Sequence, residues 1–162
     1  MSNFKIGDLA VGKGNRPIII AEMSGNHNQS LQRALEITEA AAKTGAHAMK
    51  LQTYTADTMT LDVNEGEFFI DDENSLWKGN SLYDLYKIAY TPWEWHEPIM
   101  KRANELGMLC FSTPFDDTAI DYLEDLRFVK KVYLYILRVD ICWSSIFRRF
   151  FTWDSYDSTN FT

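Results

Sequence analysis

The sequence predicts an α/β protein with a parallel sheet built from about three strand-and-helix units. Three observations carry this. Apolar runs of strand length end in polar loops near residues 22, 53 and 113; segments with apolar side chains at helical spacing follow them; and the chemistry-bearing residues gather where the carboxyl ends of the strands fall. Continuous rather than alternating apolar runs mark strands buried on both faces, the habit of parallel sheets.

Pro17 to Glu22 holds Ile18, Ile19, Ile20 and Ala21 ahead of a carboxylate and the polar Ser24-Gly25-Asn26, which reads as a buried parallel strand entering a loop. Ser30 is the expected N-cap of the next helix, with Leu31, Ala34, Leu35, Thr38 and Ala42 as its apolar face and Gly45 as its left-handed stop. His47 to Thr53 reads as the second strand, and Lys50 and Gln52, two positions apart, must project from one face of it. The acidic loop from Asp57 to Asn80, with seven carboxylates against one lysine, reads as a solvated excursion with room for a lid. Ser81 and Asp84 open a short helix carrying Leu82, Leu85, Tyr86 and Ala89 on one side. Thr91-Pro92-Trp93-Glu94 has the form of a capping box, with Thr91 as N-cap and Pro92 at the first helical position. The helix it starts has a stripe of Trp95, Ile99, Ala103 and Leu106, an expected kink at Pro98 and an end at Gly107. Met108 to Phe111 is the third strand, running into Ser112-Thr113-Pro114, and Ile120, Leu123 and Leu126 mark the helix after it.

Doubly wound and barrel architectures both fit this alternation. The barrel is preferred because the first strand-to-helix turn, Met23 to Asn28, lacks the glycine fingerprint of a dinucleotide fold. The one Gly-x-Gly, at Gly12 and Gly14, precedes the strand and reads as a hairpin turn.

A net charge of −7, from 16 basic and 23 acidic side chains, argues against a nucleic-acid partner, because phosphate backbones are bound through Lys and Arg. Small-molecule chemistry stays open. No run approaches the roughly 18 apolar residues of a membrane span, and residues 1–16 lack the apolar core of a secretory signal. Cys110 and Cys142 show neither metal-knuckle nor disulfide-framework spacing, so a reducing, cytoplasmic setting is expected.

The composition breaks near Leu126. Every Gly, Pro and Ala lies at or before position 119, while residues 127–162 contain none of them, no Glu, and ten aromatics. Net charge changes from −10 before the break to +3 after it. Helical and strand periods both fail there beyond Val132 to Val139. The expectation is a partial α/β domain over 1–126 and an aberrant aromatic tail over 127–162, the product of a reading-frame error or a fusion, rather than a divergent natural C-terminus.

Each site candidate has two readings. Glu22 and Lys50 are either a catalytic carboxylate and an anion clamp, or a structural ion pair with each other; a charge ending an apolar strand favours function. Gln52 and Thr113 are smaller signals for polar contact with a substrate. His27 and His47 read as hydrogen-bonded structural histidines rather than metal ligands, and His96 as solvated on a helix surface. Trp77, Trp93 and Trp95 read as packing residues before sugar platforms.

The motifs Ile19-Ile20-Ala21-Glu22-Met23-Ser24-Gly25-Asn26-His27-Asn28, Met49-Lys50-Leu51-Gln52-Thr53-Tyr54, Ser81-Leu82-Tyr83-Asp84-Leu85-Tyr86, Tyr90-Thr91-Pro92-Trp93-Glu94-Trp95-His96 and Phe111-Ser112-Thr113-Pro114-Phe115-Asp116, in this order, closely resemble the sialic acid synthase family over residues 4–126. Ser-Gly-Asn-His after Glu22 and Leu-Gln after Lys50 are similar to its pseudaminic acid branch, where synthases of N-acetylneuraminate tend to have Gly-Ile-Asn-His and His-Gln.

The resemblance implies an incomplete (β/α)8 TIM barrel and a cytoplasmic, homodimeric transferase. It implies condensation of phosphoenolpyruvate with an open-chain acylamino sugar, a pseudaminic-type nonulosonic acid being the product, with N-acetylneuraminate synthesis or an inactive fragment as the alternatives. It assigns Glu22 to catalysis, Lys50 and Thr113 to phosphoenolpyruvate, Gln52 to the sugar and, more weakly, Asn80 to the sugar. A divalent metal, manganese or magnesium, is implied as cofactor to polarise the sugar aldehyde. The family's fourth-strand Tyr-Lys-Ile motif, its two metal-binding histidines and its antifreeze-like domain have no counterpart here; Arg127-Phe128-Val129-Lys130-Lys131 is no safe substitute.

Overall fold

The computed structural model describes residues 4–126, so the tail 127–162, with Cys142 and the break in composition, lies outside the described residues. The chain opens with an antiparallel hairpin of β1 (Phe4–Ile6) and β2 (Leu9–Val11), followed by β3 (Ile20–Glu22), α1 (Leu31–Lys43) and β4 (Ala48–Thr53). A short helix α2 (Ala56–Met59) leads into the acidic loop; α3 (Leu82–Ala89), α4 (His96–Glu105), β5 (Leu109–Pro114) and α5 (Asp117–Asp125) complete the described residues. Strands β3, β4 and β5 form one sheet in that order, parallel throughout. No helix among the described residues is long and apolar enough to cross a membrane.

The register decides what each face carries. Glu22 lies opposite Lys50 and Lys50 opposite Phe111, while Gln52 lies opposite Thr113. Matched positions in a sheet share a face and neighbours along a strand alternate. One face therefore bears Ile20, Glu22, Ala48, Lys50, Gln52, Leu109, Phe111 and Thr113. On the other, Met49, Leu51 and Cys110 pack with Ala34 of α1, Ile99, Met100 and Ala103 of α4, and Ile120 and Leu123 of α5. Helices thus cover one face, and the hairpin closes the amino-terminal end of the other: Ile6 and Leu109 pack against Ala48 and Phe111.

Local signals form the helices as read. Ser30 caps α1 by accepting from Arg33 N, and Gly45 takes φ +83° just past its end. Ser81 caps α3 by accepting from Asp84 N, and Asp116 caps α5 through Thr118 N and Ala119 N.

Four local expectations are corrected. Thr91 is no N-cap: its hydroxyl is held by His27 Nε2 at 3.1 Å, and Pro92 takes an extended ψ of 131°, so a 3₁₀ turn at Trp93–Trp95 precedes α4. Pro98 then falls in the first turn of α4, where its missing N–H has no intrahelical partner to lose, and no kink is required. The hairpin turn lies at Gly7-Asp8, between the paired Ile6 and Leu9, with Gly7 at φ +59°; Gly12 and Gly14 follow β2. β3 is parallel but not buried, with Ile20 43% exposed, because no strand among the described residues pairs with its outer edge.

His96 is not solvated. It is fully buried, its Nδ1 donates to the Trp93 carbonyl (3.1 Å) and its Nε2 accepts from Thr53 Oγ1 (2.8 Å). Burial lowers its pKa from 6.5 to about 4, and burial lowers that of His27 as well. A histidine held neutral binds fewer protons folded than unfolded between these values, so its stabilising contribution is whole above pH 6.5 and is lost as pH falls toward 4. Chemical denaturation at pH 7.5, 5.5 and 4.5 should show this loss, about 3 kcal/mol for His96 at the acid end. A His96→Gln variant should have a flatter dependence over the same range; equal slopes would contradict the assignment.

Candidate active site

The carboxyl ends of β3 and β4 bring three of the expected residues into contact. Glu22 ends β3, and its Oε2 lies 3.0 Å from Lys50 Nζ; Gln52 Nε2 donates to Glu22 Oε1 at 3.3 Å. Both bonds follow from the register, which puts Lys50 directly beside Glu22 and Gln52 one pleat further along the same face. The side chains are part-exposed, Lys50 25% and Glu22 40%. Charge, donor and acceptor are therefore open to a ligand, above the apolar floor of Phe111, Leu109 and Ile6.

Thr113 stands on the same face, in register with Gln52. Its hydroxyl is buried and without a hydrogen-bond partner among the described residues, as is Asp116 Oδ2. An orphaned buried hydroxyl costs roughly 1–3 kcal/mol. Asn80 makes its hydrogen bonds within the acidic loop. Its amide donates to the Trp77 carbonyl at 3.1 Å and its own carbonyl accepts from Ile70 N, so it closes the stem of the acidic loop.

The loop after Glu22 is tightly built, which periodicity does not reveal. Ser24, Asn28 and Gln29 all have positive φ, between 47° and 52°. Gln29 Nε2 donates to the carbonyls of Ile88 (2.8 Å) and Tyr90 (2.7 Å), and Arg33 Nε donates to the Asn26 carbonyl (2.8 Å). A Cβ on Gly25 would come within 2.9 Å of the Ala89 carbonyl oxygen, so glycine is required for the loop to meet the end of α3. The sequence signal for this was present in Asn28 and Gly25, residues suited to left-handed or close-packed backbone.

His27 and His47 are structural, as read: His27 binds Thr91 and accepts from Gln29 N, and His47 Nδ1 accepts from Ile19 N. Trp93 packs on Tyr122 and Trp95 on His27. Cys110 is buried, and burial pushes its thiol up to about 12, so it is no nucleophile. Among the described residues no three His, Cys, Asp or Glu side chains converge, and the one carboxylate on the open face is held by a lysine. These residues do not fit a divalent cation site.

The arrangement is that of a parallel α/β protein with a polar cluster at the carboxyl ends of its strands. The chain belongs to the NeuB family, whose model matches residues 37–132. It is 44% identical over 120 residues to a pseudaminic acid synthase of Campylobacter jejuni, an alignment covering 74% of this chain and 34% of that protein. It is 36% identical over 127 residues to an N,N'-diacetyllegionaminic acid synthase of Legionella pneumophila, covering 77% and 35%. The crystal structure of an N-acetylneuraminic acid synthetase from Leptospira borgpetersenii superposes with a TM-score of 0.63 at 25% identity, covering 78% of this chain and 39% of that one. The chain spans about a third of the length of the curated relatives it matches.

An ion pair this exposed contributes little to folding, about 0–1 kcal/mol. Glu22→Gln and Lys50→Met should each leave the denaturation midpoint within about 1 kcal/mol of the parent, as read by urea unfolding. A loss of 3 kcal/mol or more would make the pair structural.

Proposed function

We propose that residues 4–126 are the N-terminal segment of a (β/α)8 barrel synthase that joins phosphoenolpyruvate to an acylamino sugar aldehyde, of the pseudaminic acid type. The observation that carries this is the convergence of Glu22, Lys50 and Gln52 beside the unpartnered Thr113 hydroxyl, in a chain 44% identical to a pseudaminic acid synthase. The N-acetylneuraminate alternative rests on a structural likeness at 25% identity and is the weaker.

In this reading C3 of phosphoenolpyruvate attacks the aldehyde carbon, water adds at C2 and inorganic phosphate leaves. Positive charge develops at C2 as the new bond forms. A carboxylate facing that carbon stabilises it and can take the proton of the incoming water, the role given to Glu22. Lys50 exchanges its partner Glu22 for the phosphate or carboxylate of phosphoenolpyruvate, and the Thr113 hydroxyl donates to the same anion. Gln52 offers its amide to sugar hydroxyl or acylamino groups. The remaining barrel strands, a metal site and dimer contacts belong outside residues 4–126, and the 162-residue chain by itself should not turn over. Low cytoplasmic redox potential suits the free Cys110.

The test is a chimera in which residues 4–126 replace the matching segment of the Campylobacter jejuni relative. With manganese, phosphoenolpyruvate and a 2,4-diacetamido sugar it should release phosphate, and with N-acetylmannosamine far less. The unfused 162-residue chain should release none. Within the chimera, Glu22→Gln should lower kcat by about 10²–10³-fold with KM little changed. Lys50→Ala should raise KM for phosphoenolpyruvate about tenfold or more and that for the sugar less, as expected for a lost charge-assisted bond. Equal weakening of both substrates would make Lys50 structural.

A further inference from the structure

The three strand ends that carry the site are tied to one six-residue segment, Thr91 to His96, by two buried histidines in opposite tautomers. His27 lies in the loop five residues after Glu22. Its Nδ1 accepts from Gln29 N at 3.2 Å, so Nε2 carries the proton and donates to Thr91 Oγ1 at 3.1 Å. His96 is the reverse. Its Nδ1 faces the Trp93 carbonyl, which only accepts, so Nε2 is the acceptor and Thr53 Oγ1 donates to it at 2.8 Å. The Thr53 oxygen then accepts from Ser112 Oγ at 2.6 Å.

Thr53 and Ser112 each stand one residue from a site residue, on the opposite face of the sheet. Directly behind Gln52 and Thr113, the hydroxyls of β4 and β5 are drawn together and fastened to the amino end of α4. Trp95 stacks edge-on against His27 at 5.4 Å, and the Trp93 indole donates to the Tyr54 carbonyl at 3.2 Å, so both indoles brace the same segment. All of these side-chain bonds are buried or part-buried, where a lost partner leaves an orphaned polar group rather than a hydrated one.

We propose that His96 is a positioning residue for the site: acting through Thr53 and Ser112, it sets the spacing of Gln52 from Thr113, while His27 holds the same segment against the loop after Glu22. The functional weight of this spacing rests on the proposed reading of Gln52 and Thr113 as substrate contacts. The coupling itself does not, and the two can be tested apart.

The full 162-residue chain, labelled for NMR, supplies the test. Long-range 15N spectra should show His96 as the Nδ1–H tautomer and His27 as the Nε2–H tautomer. His96→Phe keeps a ring and removes the acceptor; it should shift the Thr113 methyl and the Gln52 side-chain amide, and His96→Gln should bring them back toward their parent positions. If His96→Phe does not fold, the isosteric Thr53→Val should shift the Thr113 methyl across the sheet. Unmoved Thr113 and Gln52 signals in a folded His96→Phe or Thr53→Val chain would overturn the proposal. In a second arm phosphoenolpyruvate is titrated into each chain. His96→Phe should weaken its apparent Kd about fivefold or more, with His96→Gln within about twofold of the parent; equal affinity in all three would also overturn it. A parent chain with no response to phosphoenolpyruvate, but with the His96-dependent shifts intact, would sink the substrate reading and leave the coupling standing.

Discussion

The register of β4 between β3 and β5 is the constraint on which the rest depends. Along six residues, Ala48–Thr53, the strand alternates between the open face and the helix-covered core. Lys50 and Gln52 meet Glu22 and Thr113 on one face, while Met49 and Leu51 seal against α1, α4 and α5 on the other. A slip of one residue would bury the ammonium of Lys50 in that core and expose Met49 and Leu51, exchanging an ion pair for an isolated buried charge. The same burial that stabilises the sheet therefore fixes which polar side chains can meet. The polar cluster at the strand ends and the stability of the core are two consequences of one pairing.

The elements most legible in the sequence were those set by local chemistry. Ser30, Ser81 and Gly45 act within one helical turn of themselves, so their meaning does not depend on distant residues. Where tertiary contacts compete, local reading fails. Thr91 has the residue type of an N-cap, yet His27, 64 positions away, claims its hydroxyl and delays the helix to His96. His96, a polar residue on a helix, offered no sequence sign that Thr53 and Trp93 would satisfy both ring nitrogens and allow it to be buried. β3 shows the opposite failure: its apolar run suggested full burial, but burial is a property of neighbours, and the described residues place one only on the β4 side.

The site was legible to the extent that it follows from strand periodicity. Lys50 and Gln52 share a face because they are two residues apart, and Glu22 joins them because parallel strands bring their carboxyl ends to one edge. Asn80 had no such geometry behind it, and its hydrogen bonds run within the acidic loop. The match to the NeuB family model runs to residue 132, past Ala119, the last glycine, proline or alanine in the sequence.

The central proposal is that this register places Lys50 and Thr113 to hold phosphoenolpyruvate, with Lys50 held by Glu22 until the anion arrives. A crystal structure of the chain soaked with phosphoenolpyruvate tests it most directly. The account predicts an anionic group of the ligand within about 2.7–3.0 Å of Lys50 Nζ and of Thr113 Oγ1, with the Lys50–Glu22 contact lengthened beyond hydrogen-bonding distance. A ligand bound elsewhere, or an occupied site in which Lys50 still holds Glu22 and the Thr113 hydroxyl remains unpartnered, would contradict it.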